Sequence, residues 1–181
     1  MRIITVIIQV FILAGMVPAN PAMDLGIKHY RENNYHAAIE AFKQAEESGY
    51  AAFEVQFYLG NCFYKINDFN KAKHAFQKAL KFQPDNTDIK SNLASCYLNL
   101  NQIDQAVKIY KTILQYNNND ASVYANLGFA LKLSGQRRTA IEYYEKAISL
   151  DKKNARYIFS LGELYSLIND HEKADELFKI A

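Results

Sequence analysis

The sequence predicts an all-α protein, an α-solenoid of about five 34-residue helix-turn-helix repeats behind a short apolar leader. Three observations predict it. The stretch from Phe53 to Asn86 can be laid over everything after the leader by shifts of 34 residues, and the register never slips. Inside that stretch, apolar residues recur at helical spacing in two blocks divided by a polar break, Asn67-Asp68. Two helices joined by so short a turn cannot bury both of their apolar faces alone, so successive units must stack.

Residues 1–19, MRIITVIIQVFILAGMVPA, carry one base (Arg2), no acid, and an apolar run from Ile3 to Val17. Val17-Pro18-Ala19 is an acceptable cleavage pattern, so the segment is expected to be a signal peptide removed after Ala19. A membrane anchor is the alternative, but roughly 20 apolar residues are needed to span a bilayer, and this shorter run includes Gln9. A buried first repeat helix is excluded because the segment lacks the small and leucine positions of the repeats. Met16 stands where lipoprotein processing would want Cys after Leu13-Ala14-Gly15. Cleavage would free Asn20, almost at the start of the first repeat.

The array, residues 20–181, divides into units at 19–52, 53–86, 87–120, 121–154 and 155–181. Places are counted from the first residue of each unit. Place seven holds Leu25, Leu59, Leu93, Leu127 and Leu161, and place eight holds Gly26, Gly60, Ala94, Gly128 and Gly162. Place twenty is Ala38, Ala72, Ala106, Ala140 and Ala174. Place twenty-four is aromatic throughout: Phe42, Phe76, Tyr110, Tyr144 and Phe178. In the second unit, Phe53, Phe57, Leu59, Gly60 and Phe63 define the first helix, and Ala72, Ala75, Phe76, Ala79 and Leu80 form an amphipathic stripe that Pro84 ends. The glycine is expected to let a neighbouring helix approach closely. The fifth unit stops inside its second helix, leaving Leu177, Phe178 and Ile180 with no obvious cover on the outer side.

The period, the Leu-Gly pair, the aromatic four residues after an alanine, and Pro84 near a unit's end together resemble the tetratricopeptide repeat. The resemblance covers residues 19–181. Two family features are thin: the aromatic of place four is present only as Tyr124, and the late proline only as Pro84. The resemblance implies a right-handed superhelix whose first helices line a concave surface that binds peptide segments or partner proteins. The groove residues it implies are Tyr58, Asn61, Tyr64, Asn92, Asn126, Phe129, Arg156 and Phe159. Amides at Asn61, Asn92 and Asn126 would each give and accept a hydrogen bond to an extended peptide, while Tyr58, Tyr64, Phe129 and Phe159 would hold its apolar side chains. Some relatives clamp an acidic C-terminal tail with Lys, Asn, Asn, Lys and Arg. Here the matching places read Phe57, Asn61, Asn92, Ser122 and Asn126, or Ser91, Ser95, Asn126, Arg156 and Ser160, without the paired positive charge a carboxylate needs.

Nothing in the chain points to catalysis. Cys62 and Cys96 share place ten of adjacent units, where equivalent helices lie about 10 Å apart, beyond the reach of a disulfide. They read as small buried thiols. His29, His36, His74 and His171 occupy four different places, so stacking does not assemble them, and His171-Glu172 begins a zinc motif that Asp175 breaks. There is no phosphate loop, nucleophile elbow or dinucleotide fingerprint. No cofactor, metal or catalytic residue is expected. The net charge of +2, with acids and bases interspersed along the chain, gives no sign of a nucleic-acid binder.

The expected role is a non-catalytic scaffold for protein interaction, exported to a bacterial periplasm or cell envelope and acting in envelope assembly or secretion. Contact with a membrane is expected only if residues 1–19 are retained, and the uncovered last helix allows self-association. The alternatives are a cytosolic chaperone-like adaptor for secretion substrates, or the regulatory repeat domain of a larger enzyme system.

Overall fold

The computed structural model describes residues 20–50 and 52–181. The leader, with its assignment as a signal peptide, lies outside the described residues. The described residues form ten helices and no strand: α1 (Pro21–Arg31), α2 (Tyr35–Glu47), α3 (Ala52–Lys65), α4 (Phe69–Phe82), α5 (Thr87–Asn99), α6 (Ile103–Tyr116), α7 (Ala121–Leu133), α8 (Arg137–Leu150), α9 (Ala155–Leu167) and α10 (His171–Ile180). They pair in order, one pair per predicted repeat, and each helix packs chiefly on its neighbours in the chain. This is the predicted solenoid. Among the described residues, no helix is long and apolar enough to cross a membrane.

The helix pairs are cut from the sequence by a local device. Place fifteen is Asn33, Asn67, Asn101, Gly135 and Asn169, and all five have positive φ, between 57° and 79°. Glycine and asparagine tolerate this left-handed conformation better than other residues, so each first helix ends where the sequence supplies one of them. The next residue then caps the second helix in several units: the side chains of Asn34, Asp68 and Asp170 accept hydrogen bonds from the backbone N–H of Ala37, Lys71 and Lys173. The first helices are capped in the same way by Asn20, Asn86 and Asp120.

Packing within a pair rests on places eight and twenty-four. The ring of Phe76 lies so close to Gly60 that a Cβ there would stand 2.6 Å from ring carbon Cε1. Packing between pairs uses the place-seven leucines. Leu59, Leu93, Leu127 and Leu161 are buried against the preceding unit, whereas Leu25 is 45% exposed because no described residue packs on that side of α1. At the other end Phe178 and Ile180 are exposed, as the sequence predicts. A depression of about 420 Å³ opens there between α8, α9 and α10, lined by Ile148, Ile158, Leu161, Leu177 and Ile180.

Candidate functional site: the concave face

The first helices of the middle units bring their inner places together into a groove of about 320 Å³. Tyr64 lines it from α3, Ser95, Leu98 and Asn99 from α5, Asn126, Phe129 and Leu133 from α7, and Tyr110 from α6 behind them. Three of the eight residues predicted from sequence, Tyr64, Asn126 and Phe129, line it, while Asn61 and Asn92 are bonded to each other between α3 and α5.

The polar side of the groove is already knitted together. Asn92 Nδ2 donates to Asn61 Oδ1 at 3.3 Å, tying α5 to α3. Asn99 Nδ2 donates both to Tyr64 Oη at 3.1 Å and to the Ser95 carbonyl at 2.9 Å. Two of the three predicted amides are therefore partly spent on each other, while Asn126 bonds to no other described side chain. Asn61 keeps its N–H pair, and Asn92 its carbonyl, so the ladder still offers both signs of hydrogen bond to a peptide backbone.

Toward α9 the face turns apolar. Phe129, Leu133, Phe159 and Leu167 are each more than two-fifths exposed, on the inner faces of α7 and α9. Phe159 leans on Phe178, with ring centroids 5.2 Å apart, which holds it upright on the surface. Between them, Lys132 Nζ donates to Glu163 Oε2 at 2.8 Å. That cation is paired with a carboxylate on the next inner helix, α9, which offsets its charge.

Two predicted residues stand elsewhere. Tyr58 is half-buried, stacked on Phe42 at 5.2 Å and edge-on to Tyr30 at 5.7 Å, so it packs at the joint between the first two units and does not line the groove. The aromatic surplus of the first two units draws it inward. Arg156 is exposed near the start of α9, away from the groove lining and in no ion pair among the described residues. Conversely, sequence reasoning placed Tyr110 only in the core. It is fully buried, yet its hydroxyl lies 3.3 Å from Ser95 Oγ at the groove floor. The signal was the tyrosine at a place where Phe42 and Phe76 lack a hydroxyl. Burial raises the Tyr110 phenol above its ordinary pKa, and the bond to Ser95 only partly offsets this, so the hydroxyl keeps its proton.

Among the described residues no three His, Cys, Asp or Glu side chains gather where a metal could bind. Cys62 and Cys96 are free and fully buried, and burial pushes both thiols up to about 12.

A stacked array of helix pairs with an amide-lined, partly apolar inner face defines a helical-repeat scaffold for protein interaction. Tetratricopeptide repeat models match residues 23–72, 67–128, 121–154 and 143–176, and the chain belongs to the tetratricopeptide repeat family. The family is generally non-catalytic and binds other proteins. No curated protein sequence matches the chain. Among solved structures, a crystal structure of MamA is similar at 25% identity and TM-score 0.78, covering 87% of this chain and 92% of that one. MamA from residue 41 to its end, from Desulfovibrio magneticus RS-1, is similar at 24% identity and TM-score 0.80, over 88% of this chain and 90% of that one. A MamA MSR-1 structure follows at 23% identity and TM-score 0.71, over 88% and 91%.

Proposed function

We propose that this chain is a non-catalytic scaffold that holds an extended segment of a partner protein across α3, α5, α7 and α9. It gathers proteins for envelope assembly or secretion. The observation that carries the reading is the groove itself: amides on one side, exposed Phe129, Leu133 and Phe159 on the other, and its central cation neutralised by Glu163. The inner places of α3, α5, α7 and α9 hold three acids (Glu54, Asp88, Glu163) and three bases (Lys65, Lys132, Arg156). Such a face favours a segment with little net charge and bulky apolar side chains, and gives no reason to select an acidic tail. The exposed Phe178 and Ile180 support a further contact of the same kind at α10, with another protein or a second copy.

The apolar leader supports export, with removal of residues 1–19 and residence in a bacterial periplasm or cell envelope. Two measurements test the proposal. Intact mass of the protein from each cell fraction should show loss of Met1 to Ala19 outside the cytoplasm; full-length soluble protein in the cytosol would favour a cytosolic adaptor. A photocrosslinking residue at Asn126, in the groove, should yield a partner adduct that the same residue at Glu142, on the outer face, does not. Adducts at position 142 alone would move the partner to the outer face.

A further inference from the structure

The outer helices of the middle units carry a feature that the groove does not use. Helices α4 and α6 hold six lysines (Lys71, Lys73, Lys78, Lys81, Lys108 and Lys111) and one acid, Asp104, so six less one leaves +5 on two helices of a chain whose net charge is +2. The total hides this, because acids elsewhere balance it; by helical spacing Lys81, Lys108 and Lys111 fall on the side of α4 and α6 opposite their buried residues, while Lys71, Lys73 and Lys78 lie on the flanks.

Three of these lysines have local partners: Lys71 pairs with Asp68 at 2.7 Å, Lys78 lies 3.8 Å from Glu46, and Lys73 sits over the Tyr97 ring. Lys81, Lys108 and Lys111 are exposed and belong to no ion pair among the described residues. At the last residue of the same two helices stand Phe82, 57% exposed, and Tyr116, 79% exposed. Both occupy place thirty. The same place holds Ser48 after α2 and a half-buried Leu150 at the end of α8, so among the described residues place thirty carries an exposed aromatic on the two helices with the excess charge and on no other. Lys90 approaches the Tyr116 ring to 5.8 Å, but it also lies 3.6 Å from Asp85 and adds no free charge.

We propose that this face docks on an anionic lipid bilayer, with the lysines against lipid phosphates and Phe82 and Tyr116 at the level of the headgroups. Lysine long enough to reach phosphates, next to aromatic rings left in water, is the pairing that an interface of charged headgroups over hydrocarbon satisfies. A nucleic acid is the weaker fit. Strand binders track the backbone in a groove and favour the planar fork of arginine, whereas this surface is an outer ridge and α4 and α6 contain no arginine. The contact is independent of the concave groove and of the fate of residues 1–19.

The test is co-sedimentation of the full chain with phosphatidylcholine vesicles, with and without phosphatidylglycerol, because the neutral vesicles report any binding due to the apolar leader alone. Phosphatidylglycerol should increase binding, added salt should remove the increase, and Lys81→Glu/Lys108→Glu/Lys111→Glu should lower it by roughly tenfold or more. Circular dichroism of the triple variant should match the parent, since all three side chains are exposed. The chain has no tryptophan, so Phe82→Trp gives a single reporter whose emission should shift to the blue on the anionic vesicles. Equal binding to both vesicle types, or undiminished binding by the triple variant, would overturn the proposal. So would an unshifted emission on sedimented vesicles, or binding to single-stranded DNA with none to phosphatidylglycerol.

Discussion

Phe76 lies flat against the backbone of Gly60, close enough that a single added methyl would stand 2.6, 2.7 and 2.9 Å from three of its ring carbons. The ring has little room to retreat, because it is fully buried, with Phe57 edge-on to it at 6.5 Å. Gly60→Ala should therefore destabilise the protein by about 1–2 kcal/mol, the cost of overpacking exceeding the gain in helix propensity. Gly162→Ala makes the same kind of contact with Phe178, but that ring is 39% exposed and can shift toward solvent together with its neighbour Phe159. The smaller loss expected at Gly162 can be read from urea melts of the two variants side by side.

Gln56 is a buried polar residue, 4% exposed, at the joint of the first two units, and its Nε2 donates to Glu46 Oε1 at 2.9 Å. Glu46→Ala should cost about 1–3 kcal/mol by stranding that amide, whereas Gln56→Leu, which removes the need for a partner, should cost less. Equal losses in the two variants would show that the carboxylate contributes mainly through Lys78.

Asn92→Ala combined with Asn126→Ala should leave helical content and Tm nearly unchanged, since only one interhelical bond is lost, while weakening partner binding by about tenfold, or about 1.4 kcal/mol. Calorimetric titration with the captured partner checks it. Binding that survives the double variant would shift attention to the apolar side, Phe129 and Phe159.

Cys62 and Cys96 should resist a maleimide at neutral pH in the native protein and react fast in denaturant, since burial keeps both thiols protonated up to about 12. The sign for stability follows from linkage. The folded pKa lies above the ordinary value of 9.0, so the unfolded chain releases its thiol protons first. The stability contributed is complete below about pH 9 and falls as pH rises toward about 12. Cys62→Ala/Cys96→Ala should flatten that part of a base-denaturation curve.

Much of the fold was legible because the repeat imposes the same demands five times. A leucine at place seven and an aromatic at place twenty-four are packing requirements, and packing follows period. Place fifteen is equally regular, yet a sequence reader sees Asn67-Asp68 only as a polar break; that its φ is 63° is backbone information no side-chain pattern displays. The groove was legible in outline. Tyr58 does not line the groove because three aromatic neighbours pack against its ring, and Tyr110 was missed because its hydroxyl, not its ring, reaches the site. The excess of lysine on α4 and α6 was invisible to a net charge and became visible only when the helices were assigned to an outer face.

The left-handed residue at place fifteen also bears on how such a chain changes length. Each turn is fixed by one residue of its own unit, and each unit touches little beyond the next. Excising Thr87 to Asp120 would join Asn86 to Ala121, two residues that already meet in phase, and the capping asparagine would simply find a new helix to start. The groove would shorten by one helix, about 10 Å, with the remaining joints intact. A gene encoding this protein can thus adjust the span of the bound segment by whole periods, as a ruler is cut at its marks.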